Sequence, residues 1–177
     1  CFYGNRVIWL FRLNSENLIK SSRIKMAEKV LQLLSTENPV FRAYCFWSCV
    51  LVVKMLLMSF LTGMQRFQTK TFANQEDLPS KKLKVKFDDP DVERVRRAHR
   101  NDLENIPIFF VVALIYLCTN PEEFIAVNLF RAFAIGRIVH TLVYAVVVVP
   151  QPSRALAFFV GVVTTAYMAV TSALYFL

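Results

Sequence analysis

Four apolar segments of membrane-crossing length dominate this sequence of 177 residues. We place them at about 40–64, 92–119, 124–149 and 155–177. At about 1.5 Å per residue, a helix over each segment is long enough to cross a hydrocarbon layer about 30 Å thick. Because lipid offers no hydrogen-bond partners to the backbone, spanning segments of this kind are helical. The sequence therefore predicts an all-α fold, a polytopic membrane protein built as a bundle of four transmembrane helices.

The N-terminal residues do not fit this pattern. Residues 1–25 carry five cations against one acid, and Met26 is followed by Ala-Glu-Lys-Val, which is typical of a translation start. We interpret 1–25 as a non-native or upstream extension and 26–177 as a single four-helix membrane domain. An uncleaved targeting segment is the alternative, because the apolar run Val7–Phe11 has basic flanks.

The distribution of cations predicts the orientation in the membrane. The connection 65–91 between the first two segments is rich in Lys and Arg, whereas the connection between the second and third segments is Asn-Pro-Glu-Glu. Cytoplasmic loops carry an excess of Lys and Arg. We therefore expect loop 65–91 to face the cytosol together with Arg154, and both termini to lie on the opposite side.

A dense polar cluster precedes the apolar part of the second segment. At about 100° per residue, five of its side chains fall within an arc of roughly 140° on a helix: Arg96, Arg97, Arg100, Asn101 and Glu104. Three guanidinium groups on one face favour an anionic ligand. The alternative is that these arginines reach lipid phosphates at the interface.

The third segment carries a second polar stripe, formed by Arg137, His140, Thr141 and Tyr144. Ionisable residues at membrane depth usually face a protein interior or a cavity and have partners. We expect this stripe to face the first, with Glu104 as the counter-charge of an arginine, although a structural ion pair and an interhelical bond from His140 are the alternatives. Lys54 has no evident partner. Four helices offer little interior for these groups, which favours an oligomer.

Several function classes are excluded. The net charge of +8 comes partly from residues 1–25, and the other cations lie beside or within the apolar segments, so we expect no nucleic-acid partner. With two histidines and no CxxC pair, we expect no metal site. The intramembrane arginines are scattered over different helices, without the repeated spacing of a voltage sensor.

Four motifs, in order, resemble a known family: Thr71–Asp77, Val92–Ile106, Gly136–Thr141 and Gln151–Gly161. The resemblance covers about residues 40–177. The family is MAPEG, the membrane-associated proteins in eicosanoid and glutathione metabolism. It implies a homotrimer in which glutathione, a co-substrate, is bound between neighbouring subunits on the cytosolic side, without a metal.

The resemblance implies a glutathione transferase that acts on hydrophobic electrophiles, with peroxidase activity toward lipid hydroperoxides. A prostaglandin E synthase-like isomerase and a non-catalytic, lipid-presenting scaffold are the alternatives. The implied location is the membrane of the endoplasmic reticulum, with the mitochondrial outer membrane as a further one. Membrane lipid and other copies of the chain are the implied partners.

The resemblance also assigns roles to individual residues. Arg154 matches the arginine that stabilises the glutathione thiolate and is the expected catalytic residue. The expected glutathione contacts are Arg66, Arg96, Arg97, His99, Arg100, Asn101, Glu104, His140 and Tyr144. Ala155 and Phe158 stand where the prostaglandin synthase branch has a serine and a tyrosine, which favours the transferase.

Overall fold

The computed structural model describes residues 21–80 and 82–177, which contain helices and no strands. The four long helices are α1 (Pro39–Thr69), α2 (Pro90–Cys118), α3 (Glu123–Thr141) and α4 (Ser153–Tyr175). A π turn, Leu142–Val146, continues α3. All four are long and apolar enough to cross a membrane. The predicted all-α membrane fold is confirmed.

Residues 21–33 are also helical and precede α1. This helix runs without a break through residues 25 and 26, where the predicted extension meets the predicted domain. Most of the proposed extension, residues 1–20, lies outside the described residues. The interpretation of 1–25 therefore stays a prediction.

The first two long helices begin with the same local chemistry. Pro39 and Pro90 stand at the first helical positions, where a missing N–H does no harm. The side chains of Asn38 and Asp89 precede them and accept hydrogen bonds from backbone N–H groups of the first turn. The N–H of Val92, and then that of Asp91, hold the pKa of Asp89 below its usual value of 3.8.

Aromatic packing joins the first three helices at the centre of the bundle. The rings of Phe109 on α2 and Phe133 on α3 stack with their centroids 4.0 Å apart. Phe130 contacts Phe109 edge-on, and Tyr44 of α1 contacts Phe130 in the same way. The helices α2 and α3 also pack against α4. The large apolar side chains on the outer faces of the helices are exposed, as expected of surfaces that contact lipid.

Gly136 allows α3 and α4 to approach closely. A Cβ atom at this position would lie 3.1 Å from a methyl group of Val160 and 3.4 Å from the carbonyl oxygen of Ala157. A larger side chain would push the two helices apart. This close contact lies one residue from Arg137, so it also sets where that side chain enters the bundle.

Candidate active site

A cavity of about 390 Å³ opens at the end of the bundle where α2 and α4 begin and where α3 ends. Its wall is formed by Arg97, Arg100, Asn101, Glu104, His140, Tyr144, Gln151, Arg154, Ala155, Phe158 and Phe159. Seven of the ten predicted site residues are therefore brought together in one chain. His140 and Tyr144 of the second polar stripe line this cavity together with four residues of the first, whereas Arg137 and Thr141 do not line it.

The cationic wall comes from α2 and α4. In the described parts of the chain, Arg97, Arg100 and Arg154 form no ion pair. Among the residues that the structure describes, Glu104 is the one acidic side chain that lines the cavity. Three guanidinium groups therefore face a single carboxylate, and an anionic ligand would be attracted to this space.

An aromatic contact holds Arg154 in the wall of the cavity. Its guanidinium carbon lies 4.8 Å from the centroid of the Tyr144 ring. The Tyr144 ring in turn packs edge-on against His140, with centroids 5.5 Å apart. Arg154 Nε is buried and has no hydrogen-bond partner among the described residues. Its charge is placed by a cation–π contact and remains available to a ligand.

Three predicted site residues lie outside the cavity of a single chain. Arg96 is paired with Glu93 on the same helix, with 2.5 Å between Nη1 and Oε1. Arg66 points Nη1 toward the carbonyl oxygen of Thr71, 3.5 Å away. His99 is half-buried on α2 but does not line the cavity. Their roles in glutathione binding stay predictions.

One expected ion pair is wrong. Glu104 does not neutralise Arg137, which instead donates to Asp102 Oδ1 from Nη2 at 2.5 Å and from Nε at 3.1 Å. Lys54 of α1 pairs with Asp102 Oδ2. Lys54, Asp102 and Arg137, which we call the buried cluster, link α1, α2 and α3.

The positions of the two acids on α2 explain why Arg137 pairs with Asp102 and not with Glu104. Asp102 follows Val95 and Ala98 on the face of α2 that points into the bundle, whereas Glu104 is exposed on another face. An ionised acid on an apolar stripe requires a buried cation. The position of Asp102 on this stripe is therefore the sequence feature that could have predicted its pairing. Gln151 and Phe159 were not predicted as site residues either, yet they lie where α4 begins and close the cavity from that side.

Comparison with known proteins places the chain in a family. Residues 44–174 match the model of the MAPEG family. The chain belongs to the MAPEG family. It is 42% identical to microsomal glutathione S-transferase 1 of Homo sapiens over 139 residues, which cover 75% of this chain and 88% of the relative.

Another relative carries a different name. The chain is 41% identical to prostaglandin E synthase of Equus caballus over 128 residues, which cover 72% of this chain and 83% of that protein. Every residue that lines the cavity falls within the part that matches the family model. In the described residues, no group of three or more His, Cys, Asp or Glu side chains is arranged to hold a metal ion.

Proposed function

We propose that this protein is a membrane-bound glutathione transferase that conjugates glutathione to hydrophobic electrophiles. One observation carries the proposal: a single cavity joins three guanidinium groups that have no ion pair in the described residues to an apolar wall on α4. Relatives named microsomal glutathione S-transferase 1, such as that of Bos taurus at 43% identity, support it.

The polar wall suits the charges of glutathione. This tripeptide carries two carboxylates and one ammonium group. Planar guanidinium groups such as those of Arg97 and Arg100 bind carboxylates through paired N–H donors. Glu104 is the complementary partner for the ammonium group. The cavity therefore offers each charged end of the tripeptide a group of opposite sign.

Arg154 stabilises the thiolate of the bound glutathione. A free cysteine thiol has a pKa near about 8.5, and an adjacent cation lowers that pKa. Because the thiolate is the nucleophile, its fraction at neutral pH limits the rate of the reaction. The buried, unpartnered Nε of Arg154 supports this role.

The apolar part of the cavity receives the second substrate. Ala155, Phe158 and Phe159 form this wall, and the exposed ring of Phe159 leads to the outer, lipid-facing surface of α4. The thiolate sulfur forms a bond to the electrophilic carbon while the leaving group departs with its electron pair. With a lipid hydroperoxide, sulfur attacks the peroxide oxygen and the O–O bond breaks. This step yields a lipid alcohol and glutathione sulfenic acid, and a second glutathione converts the acid to disulfide and water.

Assembly and location complete the proposal. We place the protein as a homotrimer in the membrane of the endoplasmic reticulum, or in the mitochondrial outer membrane, with the cavity on the cytosolic side. In this trimer, Arg66, Arg96 and His99 contact glutathione together with a neighbouring subunit. The basic loop after α1 and the beginnings of α2 and α4 lie at the same end of the bundle, in agreement with this orientation.

A prostaglandin E synthase-like isomerase is the second candidate, favoured by the 41% identity to the Equus caballus relative. The four α4 residues that line the cavity, Arg154, Ala155, Phe158 and Phe159, include no hydroxyl group. The family resemblance implies that a dedicated isomerase has a hydroxyl group beside the thiol. The cavity wall therefore supports the transferase more than the isomerase.

Ultraviolet difference absorption of the detergent-purified protein tests the proposal. Adding glutathione near neutral pH is expected to produce a thiolate band, and adding an activated chloronitroarene is expected to convert that band into a conjugate. A protein that binds no glutathione would instead be a lipid-presenting scaffold. A protein that forms no conjugate but isomerises a prostaglandin endoperoxide would support the second candidate.

A further inference from the structure

The buried cluster fixes the orientation of one guanidinium group through two of its nitrogens, Nε and Nη2 of Arg137, whereas Nη1 is buried without a partner among the described residues. Asp102 and Arg137 are both 0% exposed. Asp102 Oδ2 is occupied by Lys54, so Oδ1 is left to Arg137, which approaches it with both Nε and Nη2. Two N–H donors on one oxygen determine the plane of the guanidinium group. Arg137 therefore cannot rotate without losing its counter-charge.

Nη2 of Arg137, one of the two nitrogens that bind Asp102, also reaches a residue of the cavity wall. Nη2 donates to Asn101 Oδ1 at 2.7 Å, in addition to Asp102 Oδ1. A guanidinium group only donates hydrogen bonds, so it selects the oxygen of the Asn101 amide and not the nitrogen. The Asn101 Nδ2 group is consequently turned away from Arg137. Asn101 lines the cavity, whereas Arg137 does not.

We propose that Arg137, oriented by Asp102, is a positioning residue that holds the Asn101 amide with Nδ2 directed into the cavity, where it donates to a carboxylate of the anionic peptide substrate. This inference rests on the proposed function and deepens it. Arg137 acts through Asn101, without touching the substrate. It gives a binding role to a charge that otherwise only joins α2 to α3.

The orientation matters because the two ends of an amide are opposite in hydrogen bonding. With Nδ2 toward the cavity, Asn101 donates to a carboxylate; with Oδ1 toward the cavity, it would repel one. A hydrogen bond to a charged group is worth enough to change affinity by about tenfold or more. An Asn101 side chain that is free to turn would lose this contribution for part of the time.

A double-mutant cycle on the full chain in detergent tests the coupling. The variants are Arg137→Lys, Asn101→Ala and the combination. Lysine keeps a cation beside Asp102, but its single nitrogen cannot occupy both the Nε position that serves Asp102 and the Nη2 position that reaches Asn101. We expect each single variant to raise the KM for glutathione about tenfold with kcat within about twofold of wild type, and the double variant to add nothing further. Multiplied effects on KM in the double variant would overturn the proposal.

Asn101→Asp provides a second test that does not depend on whether Arg137→Lys folds. An aspartate keeps an oxygen for Arg137 Nη2 and replaces the donor that faces the cavity by an acceptor. We expect an unfolding temperature equal to or above that of wild type, and a KM for glutathione raised more than in Asn101→Ala. A wild-type KM in Asn101→Asp would overturn the proposal.

Asn128→Asp is the matched control for added charge. Asn128 lies on α3, accepts a hydrogen bond from Arg131 at 3.2 Å through Oδ1, which an aspartate keeps, and does not line the cavity. Its KM is expected to stay within about twofold of wild type, and a rise as large as that of Asn101→Asp would overturn the proposal. A wild-type protein that glutathione does not saturate would overturn the proposed function as well. Saturation with an unchanged KM in Arg137→Lys and Asn101→Asp would overturn the positioning role alone.

Discussion

The buried cluster and the cavity are adjacent on α2, yet their charges have opposite roles. In the buried cluster, both oxygens of Asp102 are bonded to cations and the side chains are almost completely inaccessible. In the cavity, the guanidinium groups of Arg97, Arg100 and Arg154 have no acidic partner in the described ranges. Paired charges hold the helices together, and unpaired charges are available to a ligand.

The position of a charge relative to the apolar stripe decides which role it takes. Asp102 lies on the stripe of α2 that faces the bundle, and Glu104, two residues further, lies on the cavity side. Both are carboxylates in the same helix. Removing the first should change mainly stability, and removing the second should change mainly ligand binding.

The largest effect is expected for Asp102→Ala. This substitution leaves Lys54 and Arg137 buried without a counter-charge, which typically destabilises a protein by about 3–5 kcal/mol. Denaturant or thermal unfolding in detergent measures it. The control is Asp91→Ala, which removes the partner of Arg94 at the surface of the same helix and is expected to cost at most about 1 kcal/mol. Equal losses in the two variants would contradict the contrast between the regions.

Arg154→Ala comes next and should leave the fold intact. Without this cation the glutathione thiol keeps its proton at neutral pH, and kcat is expected to fall about 100-fold, as for the loss of one charge-stabilising donor in other enzymes. The thiolate absorption band reports the change directly. Arg131→Ala is the control, since Arg131 is exposed on α3, bonds to Asn128 at 3.2 Å and does not line the cavity. An undiminished thiolate band in Arg154→Ala would mean that Arg154 does not stabilise the glutathione thiolate.

Glu104→Gln is expected to have a smaller effect. It keeps the shape of the side chain and removes the charge that complements the ammonium group of glutathione, so the KM should rise about tenfold. Steady-state kinetics with varied glutathione measures this, and the unfolding temperature should not change. Glu123→Gln, which alters an exposed acid where α3 begins, at the other end of the bundle from the cavity, is expected to bind as wild type. A loss of stability in Glu104→Gln without a change in KM would mean that Glu104 stabilises the fold, as Asp102 does, and does not bind glutathione.

The smallest effect concerns the beginning of α2, on which both regions depend. The folded state lowers the pKa of Asp89 below 3.8, chiefly through the N–H of Val92, so its stabilising contribution is present above that pH and is lost as the pH falls through the folded value. Asp89→Asn keeps the capping oxygen and removes the titration. Unfolding measured between about pH 5 and about pH 3 should show a weaker acid dependence in this variant. An identical acid dependence would mean that other carboxylates control it.

Periodicity and charge were sufficient to predict most of the architecture. The four spans follow from the length of the apolar segments. The two polar stripes follow from residue spacing, because a helix repeats every 3.6 residues whatever its neighbours are. For the same reason, the sequence is enough to assign Arg97, Arg100, Asn101 and Glu104 to one face of a helix. That Arg96 forms a pair with Glu93 outside the cavity depends on the local rotamer, which spacing does not determine.

The pairing of charged residues on different helices could not be predicted from residue spacing. The partner of Lys54 depends on which face of α1 meets α2, and tertiary contacts such as the hydrogen bond from the Tyr44 hydroxyl to the carbonyl oxygen of Phe110 determine that face. The predicted end of the third span, residue 149, lies beyond the observed end, because the valine-rich sequence does not indicate the π turn that ends at Val146. Contacts between segments, and departures from regular helices, arise from the tertiary structure.

The buried cluster also bears on how the chain enters a membrane. Lys54, Asp102 and Arg137 lie within three successive spans, so each span alone would bring one of these charges into lipid without its partner. Insertion scales put the penalty for a charge at the centre of a single helix at about 2.5–3.5 kcal/mol. The three penalties are relieved together when α1, α2 and α3 meet. Stable insertion of each span thus depends on the arrival of the others, and a chain truncated before Arg137 would hold Lys54 and Asp102 in lipid without their third partner.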